Sequence, residues 1–386
     1  MWIFYITQFL HSLIFTIPIW IVYYQGKIST AEISYLVTIQ YVAQMALELP
    51  SGALADLIGR RNTNLVGWVI GAVSFFLFPL ATNFTHFLIL ALMVGINDSF
   101  RSGSEEALLY DSYKQAGKEH EFEKMYGNSD FIYQVGLIIA TALGGLLYSK
   151  WVFLPYVLYG VCLSVGALLI SLYKEPRIDS ETFTLKNYLL QIKNGSKEAF
   201  KDQSTTYLSL FYILVAGIGW SSTLYFNGFM MTEFVTSDSL RGFLTAGMRL
   251  INILAIRSVL QNNKVFNLKR RILFFPIVML IAYLPGFLLK DFWGVLFVQA
   301  AMVVTTARWI LLAPLTNKAF SSKYRATAIS FLSFAIGFVY ILLTSISGTI
   351  ISQFGITVMF SVLGIFTLLT VVPVTVKLLQ TVNQQS

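Results

Sequence analysis

The chain has 386 residues, 56% of them hydrophobic and 12% charged, with a mean hydropathy of +0.68 and a net charge of +8. Soluble domains carry roughly a quarter charged residues, and larger soluble cores divide instead of growing, so apolar surface on this scale cannot be hidden from water by folding alone. A soluble enzyme, a disordered chain and a disulfide scaffold are excluded, the last because Cys162 is the only cysteine.

What remains is a chain that spans a membrane. A helix needs about 20 apolar residues to cross, at 1.5 Å each. Twelve runs of that order lie near 2–24, 32–54, 63–82, 84–109, 125–149, 151–173, 205–234, 239–260, 271–289, 291–316, 325–350 and 354–379. The first begins at once, without a basic leader or a small-residue cleavage site, so a removed signal peptide is not expected. Gln8, His11, Ser12 and Phe15 form a polar and aromatic stripe along it, above a kink expected at Pro18. The second run carries Glu48 near its end, and the fourth carries Asp98, Arg101, Glu105 and Glu106. Asp98, Arg101 and Glu105 follow the i, i+3, i+7 spacing of one helical face, with Asp98 about 16 Å deep from the outer end. The fifth run holds a glycine series, Gly127, Gly136, Gly144 and Gly145.

A polar stretch, 174–203, then separates residues 1–173 from 204–386. Two six-helix bundles joined by a cytoplasmic linker are expected, the pattern of parallel repeats in a transporter. Within the linker Leu185, Tyr188, Leu189 and Ile192 fall on one helical face among Lys186, Lys193 and Lys197, which predicts an amphipathic helix lying on the membrane surface. The seventh run offers Trp220, Ser221, Tyr225 and Asn227, the eighth Arg249, and the tenth Gln299, Thr305, Arg308 and Trp309.

Charge placement gives an orientation. Nineteen Lys and Arg fall on the side holding the linker and both chain ends, against Lys27, Lys150, Arg241 and Lys290 on the other. The excess of basic loops marks the cytoplasmic side. The positive net charge therefore reflects insertion and anionic lipid, and implies no nucleic-acid partner.

Among the ionisable residues inside the spans are Glu48, Asp98, Arg101, Glu105, Glu106, Arg249, Arg257 and Arg308. Each costs about 2.5 kcal/mol or more at the bilayer centre, so by default it faces a cavity or a partner. Asp98, near the midplane with Arg101 as charge partner, is suited to carry a proton; a structural salt-bridge ladder is the alternative. His11 is the only intramembrane histidine and a second proton candidate. No acid lies in the interior of the second-half spans, Glu233 sitting at the outer end of the seventh, so Arg249 and Arg308 pair with first-half acids, bond to carbonyls, or receive an anionic group of a substrate. The last option suggests an amphipathic cargo that is anionic or zwitterionic.

Two motifs carry a family resemblance. The sequence from Gly52 through Leu54, Ala55, Asp56 and Gly59 to Arg60 and Arg61 resembles the loop-2 signature of the major facilitator superfamily, with Leu57 in place of the usual Arg. Asp98 to Glu106 is similar to that superfamily's helix-four motif, an Arg followed by Gly103. The helix-five glycines are similar to the motif of its drug/proton antiporter branch, with Ala140 and Thr141 replacing the central Gly-Pro pair that shapes a kink. The resemblance implies an all-α membrane protein of twelve transmembrane helices in two six-helix bundles. It also implies a conformational latch at Asp56, Arg60 and Arg61, and a cavity lined by helices 1, 4, 7 and 10. Candidate substrate contacts are then Gln8, Phe15, Asp98, Arg101, Trp220, Tyr225, Asn227, Arg249, Thr305, Arg308 and Trp309. Proton-coupled export by alternating access is the leading expectation, from a monomer in a bacterial cell membrane without cofactor or metal. Coupled uptake of a metabolite is the alternative, and a transport-inactive sensor a remote one. Neither a phosphate-binding loop nor a metal-ligating histidine cluster is present, so ATP-driven transport and catalysis are not expected.

Overall fold

The computed structural model describes residues 2–175, 185–255, 267–321 and 324–385, and their regular structure is entirely helical. In order, the helices are α1 Trp2–Ser12, α2 Trp20–Gln25, α3 Thr30–Ile58, α4 Arg60–Leu77, α5 Phe84–Gln115, α6 Phe122–Lys150, α7 Leu154–Ser171 and α8 Leu185–Ala199. There follow α9 Gln203–Ser221, α10 Asn227–Phe234, α11 Asp238–Ala255, α12 Leu268–Tyr283, α13 Gly294–Leu311, α14 Ala313–Ala319, α15 Arg325–Phe354 and α16 Ile356–Gln385. Each apolar run of the sequence is helical over most of its described residues. Eight helical stretches among them are long and apolar enough to cross a membrane. The other four runs are those with breaks or ionisable groups: α1 with α2, then α3, α5 and α11. Arg257 lies outside the described residues.

Several runs are not single α-helices, the tenth among them, which is split at Leu312 between α13 and α14. The first stops at Ser12 and resumes at Trp20, so the kink expected at Pro18 is a full interruption. Proline offers no N–H and its ring clashes with the carbonyl four residues back, while short bonds such as Ile14 N–H to the Ser12 carbonyl, 2.8 Å, turn the chain instead. In the seventh run a π-helical turn, Ser222–Phe226, joins α9 to α10.

The chain divides into two compact units: Met1–Ile28, Leu36–Tyr188 and Ser237–Ala246 form the first, and Ser29–Tyr35, Leu189–Thr236 and Gly247–Ser386 the second. In the first, α4 packs closely on α5 and α7. Trp68 is wholly buried on α4, and Tyr23, Phe78, Phe87 and Tyr156 form an aromatic cluster pinned by the Tyr23 hydroxyl donating to the Phe78 carbonyl at 2.7 Å.

In the second unit α9 packs on α15 and α16, with α12 against α16. The end of α8 is docked by polar bonds: Glu198 accepts from the Ser321 N–H at 2.7 Å, and Lys201 donates to Glu198 and to the Ala319 carbonyl, each at 2.8 Å. Phe200 packs edge-on against Phe331. The linker helix is thus tied at its last turn, while Leu189 and Leu190 stay exposed and the side chains of Leu185 and Tyr188 lie outside the described ones.

The bonds from Lys201 and Ser321 hold the Glu198 carboxyl below its ordinary value of 4.5. A lowered value stabilises docking in full above 4.5, and that stabilisation is lost as pH falls through the lowered one. Hydrogen exchange of α8, corrected for its intrinsic pH dependence, should therefore show constant protection from neutrality down to about 4.5 and a decline below. Glu198→Gln should lower protection at neutral pH and flatten the profile.

Candidate functional site

The site is built on α5. Asn83 caps this helix by accepting the His86 N–H at 3.1 Å. The same helix carries Arg101, only 3% exposed, whose Nη2 donates to Glu105 Oε2 at 2.9 Å, while its guanidinium lies 4.1 Å over the Trp68 ring. Gln8 Nε2 donates to the other carboxylate oxygen, Glu105 Oε1, at 2.7 Å. A charge taken from water is tolerable when it is both paired and hydrogen-bonded, and the ring below the guanidinium adds a cation–π contact.

This differs from the expected Asp98–Arg101 pair. Helical side chains lean toward the N-terminus, so Glu105 reaches back one turn to Arg101. Asp98 instead accepts from the Asn97 side chain at 2.9 Å. Glu48 is exposed on α3.

Beside the Arg101–Glu105 pair, α1, α5 and α6 enclose a cavity of about 400 Å³ whose walls include Gln8, His11, Glu105, Glu106, Tyr126 and Asp130. The His11 ring lies 5.5 Å from Tyr133 and 6.1 Å from Trp68, centre to centre, and its backbone carbonyl accepts the Tyr159 hydroxyl at 3.1 Å. Tyr126 and Asp130 were not anticipated. They sit one turn apart at the polar start of α6, and that i, i+4 spacing was the available signal. Phe15 is buried in the break between α1 and α2.

The glycine series on α6 separates into two kinds. Gly136, Gly144 and Gly145 face close neighbours (Ser12, the Phe15 carbonyl and the Asp238 carbonyl), whereas Gly127 faces open space. The helix runs unbroken from Phe122 to Lys150, as fits the missing Gly-Pro pair.

At the α3–α4 junction Gly59 has φ +93° and the carboxylate of Glu175 fills the position where a Cβ would stand. Glu175 accepts the backbone N–H groups of Arg60 and Arg61 at 2.7 and 2.8 Å, capping the positive end of α4. Arg60 pairs with Asp111, and Arg61 donates to the Ser171 carbonyl. The side chain of Asp56 and the surroundings of Gly52 lie outside the described features. Capping by Glu175 was missed from sequence, where its mark was an acid just past the last apolar residue of the sixth run.

In the second unit Arg308 is 7% exposed, with its guanidinium 5.4 Å over Tyr212. Thr305 bonds to Thr223 and to the Gly219 carbonyl, both at 2.8 Å, and Trp220 packs near Tyr340. Tyr225 is fully buried and bonded to Ser34, and Asn227 accepts from Ser222 at 3.1 Å. Arg249 is on α11, and the side chain of Trp309 lies outside the described ones. Among the described residues no three His, Cys, Asp or Glu are grouped to hold a metal ion.

Two helical units, many of whose helices are fit to cross a membrane, with a charged cavity inside one of them, define a multi-pass membrane carrier. Residues 1–305 match the model of the Major Facilitator Superfamily, and the chain belongs to that superfamily of transporters. It is 25% identical over 166 residues to the uncharacterized MFS-type transporter YxaM of Bacillus subtilis (strain 168), a match covering 43% of this chain and 41% of that protein. The fold is similar to that of the nucleoside transporter NupG, with TM-score 0.78 and 14% identity over 97% of this chain and 98% of that one. It is also similar to a POT family transporter in complex with 5-aminolevulinic acid, with TM-score 0.68 and 13% identity over 98% and 94% of the two chains.

Proposed function

We propose that this transporter is a proton-coupled exporter of a small amphipathic organic molecule, working as a monomer by alternating access, with its linker and both chain ends in the cytoplasm. The observation that carries the reading is the buried Arg101–Glu105–Gln8 network on the wall of a solute-sized cavity. Protonating a carboxylate in such a network removes the charge that holds its partners, and so changes which contacts the helix makes. Asp98 lies two turns away on the same helix and is the second proton candidate. Export is preferred over uptake on the helix-five resemblance, since three of its glycines do seat α6 closely.

The test is a solute screen in proteoliposomes under an imposed pH gradient, with Glu105→Gln and Asp98→Asn as comparisons. Gradient-driven flux is expected in the wild type. The variant at the proton carrier should lose about a hundredfold or more of it, the scale of a positioned acid–base group. Flux that ignores the gradient and both substitutions would overturn proton coupling at this network.

A further inference from the structure

We infer that the first-unit cavity binds the cationic nitrogen of the cargo, which makes the cargo an organic ammonium compound carrying an apolar ring. The inference rests on the transporter reading above and adds the sign of the cargo's charge.

Charge is the first argument. Among the described residues the walls hold three carboxylates, Glu105, Glu106 and Asp130, and neither lysine nor arginine. Glu105 is already matched by Arg101 and Gln8. Glu106 and Asp130 are exposed to the space they line, which leaves it negative. An anionic group entering there meets repulsion, and a cation attraction.

Hydrogen-bond inventory gives the second argument. The Gln8 amide is directed to Glu105, the Ser102 hydroxyl to the Ser99 carbonyl at 3.4 Å, and the Ser129 hydroxyl to the Tyr126 carbonyl at 2.7 Å. Tyr126 shares its hydroxyl hydrogen bond with Glu106. The His11 ring, by contrast, meets aromatic rings and has no hydrogen-bond partner among the described residues. The wall therefore offers acceptors, from the carboxylates of Glu106 and Asp130 and one ring nitrogen of His11. A ligand that completes it brings hydrogen-bond donors, which the N–H groups of an ammonium supply together with the matching charge.

Shape and surface agree. Tyr126 and Tyr133 add aromatic rings to the lining, the residue type that favours an organic cation. The volume of about 400 Å³ suits a small molecule. An organic cation is the class that an acidic and aromatic lining of this size suits. A zwitterion keeps its ammonium and fits; a cargo that is only an anion does not.

The test uses the full-length protein purified in detergent and equilibrium dialysis with two probes that share a ring and differ in charge, 2-(1-naphthyl)ethylamine and 1-naphthaleneacetate. The amine should bind at least about tenfold more tightly than the acid, and its N-trimethylated form should bind with intermediate strength, having the charge without the donors. Glu106→Gln and Asp130→Asn should each weaken the amine about tenfold. The double variant should erase the preference while melting like the wild type. Equal or tighter binding of the acid, binding of neither probe, or a preference that survives the double variant would overturn the inference. Gradient-driven flux of an anionic solute without amine binding would sink the charge assignment and leave the transporter reading standing. Amine binding with the expected dependence, but no flux of any solute, would do the reverse.

Discussion

Glu105→Ala is expected to cost about 3–5 kcal/mol of stability, the usual consequence of removing one partner from a buried ion pair. Arg101 would keep its charge and its place over Trp68 while losing its carboxylate, and Gln8 would lose its acceptor. The melting midpoint in detergent should fall by several degrees. Glu105→Gln retains an amide oxygen for Gln8 or Arg101 and should lie between alanine and the wild type. Arg101→Met combined with Glu105→Gln removes both charges, and should recover much of the loss because no uncompensated charge remains buried. That double variant separates scaffold from machinery. If it is stable and still moves solute down a pH gradient, the pair is structural and the proton carrier lies elsewhere, with Asp98 next in line. If it is stable and uncoupled, the pair carries the proton.

Much of the architecture was legible because it depends on composition. Apolar runs near twenty residues have few alternatives to helix in a bilayer, which places the helices without knowledge of any contact. The site was legible only in part. That Arg101 needs a partner follows from its position in a span, but the choice of Glu105 over Asp98 depends on side-chain direction. Gln8, the third member, comes from a helix 97 residues away in sequence. Asp130 and Tyr126 escaped notice because only packing brings the start of α6 to the wall shared with α5. The same holds for Glu175, whose capping role exists only once α7 returns the chain to the start of α4. In the second unit, the ring beneath the Arg308 guanidinium belongs to Tyr212, a residue that no motif marks.

The α6 glycines should respond to alanine in a graded way that the motif alone does not foretell. At Gly145 a Cβ would collide with the Asp238 carbonyl, and at Gly144 with the Phe15 carbonyl; both obstacles are backbone and cannot rotate aside. Overpacking typically costs 1–3 kcal/mol where neighbours yield, so these two replacements should exceed about 3 kcal/mol or prevent recovery of monodisperse protein. At Gly136 the obstacle is the Ser12 hydroxyl. A new rotamer relieves part of the clash there, so the loss should be smaller, though displacement of Ser12 also disturbs His11 beside it. Gly127 faces open space, and Gly127→Ala should be neutral or stabilising by up to about 1 kcal/mol, the helix-propensity gain of alanine. Melting midpoints of the four variants in detergent measure the order directly. Glycines that served backbone bending would instead all lose function at unchanged stability. A stable Gly145→Ala protein, or a Gly127→Ala protein as damaged as the others, would contradict the packing account and restore a hinge in a helix that the structure shows unbroken from Phe122 to Lys150.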